Sequence, residues 1–167
     1  MIIATGGHVD HGKTQLVKAL TGIDTDLLPQ EKVRGMSIDL GFAYYDIGNG
    51  SSLAFIDVPG HERFINNMLA GVSSIDFGLL VIAADDGPMP QTLEHLAIFH
   101  LLGVSRGAVV LTKKEKVSTD RLSEVTQLTK EVLKDTSMAK ANIFSVSSTK
   151  GMGICLLYTS PSPRDKR

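Results

Sequence analysis

Gly7-His8-Val9-Asp10-His11-Gly12-Lys13-Thr14 is the stretch on which the architecture of this chain turns. Its spacing satisfies G-x-x-x-x-G-K-[ST], and it stands between a short apolar strand, Met1 to Thr5, and the start of a helix over Thr14 to Leu20. Gly7 and Gly12 let the backbone wrap closely around phosphate. The N–H groups of the loop, through His8, Val9, Asp10 and His11, and the positive end of the helix then face the negative charge. Lys13 reaches the β- and γ-phosphates, and Thr14 offers its hydroxyl to a Mg²⁺ ion bridging them. A phosphate loop alone does not choose between ATPase, kinase and GTPase.

Outward from this loop, the next motif is Leu53-Ala54-Phe55-Ile56-Asp57, an apolar strand ending in a carboxylate placed to hold Mg²⁺ through water. Val58-Pro59-Gly60-His61 follows at once. Gly60 can present its N–H to a γ-phosphate, and a neutral His61 can orient the attacking water; taken alone, such a histidine is an ordinary surface residue. Two further strand ends, Val110 to Glu115 and Ser145 to Thr149, are expected to face a base. The stem of Lys113 can lie over a purine ring, and the Glu115 carboxylate can accept from guanine N1–H and the exocyclic amine. The loop at Ser147 and Ser148 can offer an N–H to the guanine oxygen. Guanine then differs from adenine by paired against unpaired polar groups.

The remaining pattern alternates strands with helices. Residues 23 to 38 form a long polar excursion. Asp39 to Ile47 and Ser51 to Val58 read as a hairpin across Gly48-Asn49-Gly50. Glu62 to Gly71 reads as a helix, Gly78 to Ala84 as a buried strand, and Gln91 to Leu102 as a helix with Leu93, Leu96, Ala97 and Leu101 on its core face. Gly107 to Thr112 reads as a strand, Thr119 to Lys134 as a helix with Leu122, Val125, Leu128 and Val132 inward, and Asn142 to Val146 as a last strand. The expected fold is α/β, a P-loop NTPase with a mostly parallel sheet, helices on both faces and 39 to 47 as an antiparallel edge. Sites in such sheets lie at the C-terminal ends of the strands.

Composition bounds the function. The 167 residues, 43% hydrophobic and 21% charged, suit one domain with a substantial core. A lone Cys155, no leader-like segment and no apolar run of about 18 residues point to a reducing cytoplasm and no membrane span. With 17 Lys+Arg against 18 Asp+Glu there is no basic field for bare nucleic acid.

The string Cys155 to Asp165 breaks the alternation and reads as no element. It matches the translation of a transposon-type sequencing adapter; the other reading is a Ser/Pro-rich tail. On the first, the domain runs over 1–154, residues 155–167 are foreign, and the natural gene continues. Without Arg164, Asp165, Lys166 and Arg167, 14 basic residues face 17 acidic ones.

Together these motifs resemble the translational GTPase family, whose five guanine-nucleotide motifs match in order across 1 to about 154. Arg34-Gly35-Met36-Ser37-Ile38-Asp39 resembles the first switch and Asp57 to His61 the second. Three stretches are similar to the selenocysteine-specific branch of that family: Ala19 to Asp24, Arg34 to Phe42, and Gly60 to Gly71 continued by Gln91-Thr92 and Glu94 to Leu96. The resemblance implies GTP and GDP as ligands. It also implies Mg²⁺ on Thr14, Ser37 and Asp57, His61 as the water-positioning residue, and Val9 and Met36 as an apolar gate beside it. Implied partners are the ribosome and selenocysteyl-tRNA, with an mRNA hairpin gripped by later domains. Initiation-type or elongation factor Tu-like tRNA delivery is the alternative, as are a nucleotide-binding module without turnover and a P-loop ATPase. Ser37 stands where the family has Thr, which keeps the hydroxyl. Thr112 replaces the Asn of many GTPases. Glu115 replaces Asp, one methylene further out, which predicts weaker guanine selectivity.

Overall fold

The computed structural model describes residues 1–26, 30, 40–48, 50–59 and 75–159. The expected helix over Glu62 to Gly71, the switch residues Arg34 to Asp39, and Gly60 and His61 lie outside the described residues.

Among the described residues six strands form one sheet in the order β2-β3-β1-β4-β5-β6. They are β1 (Ile2–Gly6), β2 (Gly41–Gly48), β3 (Ser51–Asp57), β4 (Phe77–Ala83), β5 (Gly107–Thr112) and β6 (Asn142–Ser145). β2 pairs antiparallel with β3, while the other neighbours run parallel. The α-helices of the described residues are α1 (Lys13–Thr21), α2 (Pro90–Leu101), α3 (Thr119–Leu133) and a short α4 (Ile154–Thr159). Among the described residues no helix is long and apolar enough to cross a membrane.

Alternation along the central strands sends successive side chains to opposite faces. Ala4, Leu80, Ile82, Val109 and Leu111 join Leu96, Phe99, Val125 and Leu133 in a core beneath α2 and α3. Ile3, Leu79, Val81, Ala108 and Val110 join Leu16, Val17, Leu20 and Ile154 beneath α1 and α4. Helices therefore cover both faces, as a parallel sheet requires.

Three sequence expectations are corrected. On α2 the buried stripe is Thr92, His95, Leu96, Ile98 and Phe99, while Leu93 and Leu101 are 50% and 82% exposed and Ala97 is exposed as well. Phe99 sets this rotation, because Gly6 and Gly78 leave a slot for its ring; a Cβ on either would come within 2.9 Å and 3.2 Å of it. On α3, Leu128 faces outward and Thr129 and Leu133 take the inner positions beside Val125. Finally, residues 154–159 are helical, because Ile154 and Leu157, one turn apart, both pack on the α1 side of the core.

Candidate nucleotide site

The phosphate loop leaves β1 at its C-terminal end and enters α1. Gly7 has φ 137°, and a Cβ there would lie 2.1 Å from the Val81 carbonyl oxygen, so only glycine fits. Asp10 (φ 61°) and Gly12 (φ 87°) also take positive φ, the alternation that makes an anion-binding concavity of backbone N–H groups. Gly12 caps α1 without a side-chain partner, which leaves the first-turn N–H groups for a ligand. The Val9 N–H is held from outside by Gln91 Oε1 at 3.0 Å, one residue into α2.

Lys13 is buried, and its ammonium donates to the carbonyls of Gly7 (3.0 Å) and His8 (2.8 Å), closing the loop on itself. Burial pushes its pKa from 10.5 down to about 8, against the pull of Asp57, Asp10 and Asp26. His11 is wholly enclosed, edge-on to His8 with ring centroids 5.0 Å apart, and its Nε2 is 3.5 Å from Asp86 Oδ2. Burial, then the neighbouring His8, lowers its pKa to about 4, so it is neutral at ordinary pH.

Asp57, at the end of β3, is 1% exposed and accepts three hydroxyl protons: Thr5 on Oδ1 at 3.0 Å, and Thr14 (2.6 Å) and Thr25 (2.7 Å) on Oδ2. Thr5 Oγ1 in turn accepts from the Val58 N–H at 3.0 Å. The Thr14 hydroxyl and the Asp57 carboxylate are hard oxygen donors facing one another beside the phosphate loop, a donor set that fits Mg²⁺.

The loops expected to face a base follow β5 and β6. Thr112 is buried, and its hydroxyl donates to the His11 carbonyl at 2.6 Å, so it braces the phosphate loop. Lys113 takes left-handed φ 57° and its Nζ lies 3.6 Å from Asp85 Oδ2. Glu115 Oε1 accepts from Thr149 Oγ1 at 3.3 Å, whereas Oε2 and the Ser148 hydroxyl are enclosed and have no hydrogen-bond partner among the described residues. Partial burial would raise the Glu115 pKa, but hydrogen bonds from its own backbone, Ser147 and Thr149, with Lys150 nearby, outweigh it and hold the carboxyl below its usual value. Ser147 is buried and exchanges backbone bonds with Met152 at 2.9 Å and 3.1 Å, which shapes the loop.

The fold thus gathers Gly7 to Thr14, Asp57, Thr112, Lys113, Glu115, Ser147 and Ser148 at the C-terminal rim of the sheet. Ser37, Gly60 and His61 lie outside the described residues. Motif reasoning missed Thr5 and Thr25 on Asp57, and Gln91 on Val9, because partners tens of residues away leave no local spacing to detect.

The sequence profile of the elongation factor Tu GTP binding domain matches residues 1–160. The chain belongs to that family. Within this GTP-binding-domain family it is 54% identical over 154 residues to the selenocysteine-specific elongation factor of Escherichia coli (strain K12), which covers 92% of the chain and 25% of that protein. A crystal structure of a bacterial selenocysteine-specific elongation factor, EF-Sec, superposes with a TM-score of 0.90 at 46% identity, over 96% of the chain and 28% of that structure. The elongation factor SelB of Methanococcus maripaludis, crystallised with the GTP analogue GppNHp, gives 0.80 at 30% identity, over 94% and 32%. The chain therefore spans between a quarter and a third of the length of these relatives.

Proposed function

We propose that this chain is the nucleotide switch of a cytoplasmic factor that carries selenocysteyl-tRNA to the ribosome, binding GTP for delivery and hydrolysing it to GDP and phosphate. The observation that carries this reading is the convergence of Lys13, Thr14 and Asp57 on one rim, in a chain that shares 54% identity with a selenocysteine-specific factor. Contacts to tRNA and to an mRNA hairpin fall largely to later segments of the full-length factor.

In this reading the backbone of Gly7 to Thr14 binds the phosphates and the Lys13 ammonium turns from its two loop carbonyls to the β- and γ-oxygens. Thr14, Asp57 and Ser37 would hold Mg²⁺, which when bound neutralises charge on those oxygens. The Gly60 N–H meets the γ-phosphate. His61 orients a water whose oxygen attacks the γ-phosphorus as the bond to the β–γ bridging oxygen breaks, and Val9 and Met36 keep other water away. On the base side the Lys113 stem lies over the ring, Glu115 Oε2 accepts from guanine, and the Ser147–Ser148 loop donates to the guanine oxygen. The two enclosed, unpartnered oxygens of Glu115 and Ser148 support a polar ligand there.

The test is GTP turnover by the full-length factor with and without ribosomes and selenocysteyl-tRNA. Ribosomes are expected to stimulate hydrolysis, and His61→Ala to lower the stimulated rate about a hundredfold while GDP affinity holds. No guanine-nucleotide binding in MgCl₂, or no response to ribosomes, refutes the reading.

A further inference from the structure

Of the three hydroxyls that the described residues place on Asp57, those of Thr14 and Thr5 belong to the phosphate loop's helix and to β1. The third belongs to neither. Thr25 lies just past the end of α1, where Gly22 turns the chain with φ 77°. It is 5% exposed, and its hydroxyl donates at 2.7 Å to the same Oδ2 that accepts from Thr14.

Local bonds on both sides hold it in place. Asp24 accepts from Lys18 Nζ at 3.0 Å and from the Asp26 N–H at 3.2 Å, and the Ile23 N–H donates to Thr21 Oγ1 at 3.1 Å. Opposite, Gly41 opens β2, and a Cβ there would lie 2.5 Å from the Thr25 Cβ. Thr25 is therefore seated against Gly41 on one side and bonded to Asp57 on the other.

We propose that Thr25 is a positioning residue for the metal-holding carboxylate. Its hydroxyl fixes the rotation of the Asp57 side chain so that Oδ2 faces Thr14. The proposal rests on the reading of Asp57 as a metal-holding group.

Fluorescently labelled GDP binding to this chain, titrated with MgCl₂ and repeated in EDTA, tests it with Thr25→Val, Thr25→Ala and Thr25→Ser. Thr25→Val keeps the shape and removes the hydroxyl. It is expected to need about tenfold more MgCl₂ for half of the metal-dependent gain in affinity, since hydrogen bonds to charged groups are among the stronger ones. Affinity in EDTA stays within about twofold, and Thr25→Ser restores the wild-type MgCl₂ midpoint; Thr25→Ala serves if the valine variant does not fold. A valine or alanine variant with the wild-type midpoint, a serine variant as impaired as the valine one, or an equal loss in EDTA overturns the proposal. Wild-type GDP binding indifferent to MgCl₂ instead sinks the underlying reading of Asp57.

Discussion

The Thr112 hydroxyl donates at 2.6 Å to the carbonyl oxygen of His11, across 101 residues of sequence. The end of β5, which leads to the base-side loop, is thus hydrogen-bonded to the phosphate loop, and both partners are buried. Thr112→Val keeps the shape and strands the His11 carbonyl, at a cost of about 1–3 kcal/mol. For a domain of this size each kcal/mol corresponds to a melting shift of about 2–4 °C. Calorimetry of the variant checks this, and an unchanged Tm means that another donor reaches the carbonyl.

Acid sensitivity follows from His11. Its pKa is near 4 folded and ordinarily 6.5, so between those values the unfolded chain binds the extra proton. Stability therefore falls as pH drops from about 6.5 to about 4, by at most about 3 kcal/mol from this group, and the contribution is flat outside that window. His11→Gln is expected to lose this part of the slope in denaturant titrations across the window. An identical slope in the variant assigns the acid loss to other groups.

Gly7→Ala forces a Cβ to within 2.1 Å of the Val81 carbonyl oxygen at φ 137°. The loop has to open or β4 has to shift. Nucleotide affinity is expected to drop at least a hundredfold, with a destabilisation of about 1–3 kcal/mol from the backbone alone. Equilibrium binding of labelled GDP and a melting curve measure the two effects separately.

Glu115→Asp withdraws the carboxylate by one methylene from Thr149, its 3.3 Å partner. If the family geometry suits guanine better, the ratio of GTP to ATP affinity rises about tenfold, the scale of one charged hydrogen bond. A ratio unchanged by the substitution shows that the loop already adjusts to the longer side chain.

The layers of the fold were legible where the period of apolar residues was unbroken: Gly107 to Thr112 is the strand that its Val-Val-Leu run predicts, and the 41–48 edge pairs antiparallel as expected. The phosphate loop and Asp57 were legible because their signal is local. Hydrophobicity misjudged α2, since Leu93 and Leu101 outrank Thr92 and His95 on any apolar scale, whereas the slot above Gly6 and Gly78 is visible only once β1 and β4 are paired. Thr25, Thr5 and Gln91 escaped for a related reason: each meets Asp57 or Val9 only because the fold brings distant segments together.

β1 occupies the interior of the sheet although it is made first, with β3 on one side and β4 on the other. During synthesis, which proceeds from the N-terminus, both edges of Ile2–Gly6 stay open until β3 and β4 exist, and every parallel pairing joins distant segments. Such high contact order slows folding, because loop closure precedes its reward. The phosphate loop follows the first of these strands yet leans on later ones, with Gly7 seated on the Val81 carbonyl and His11 bonded to Thr112, so its supports are complete only once β4 and β5 have been made.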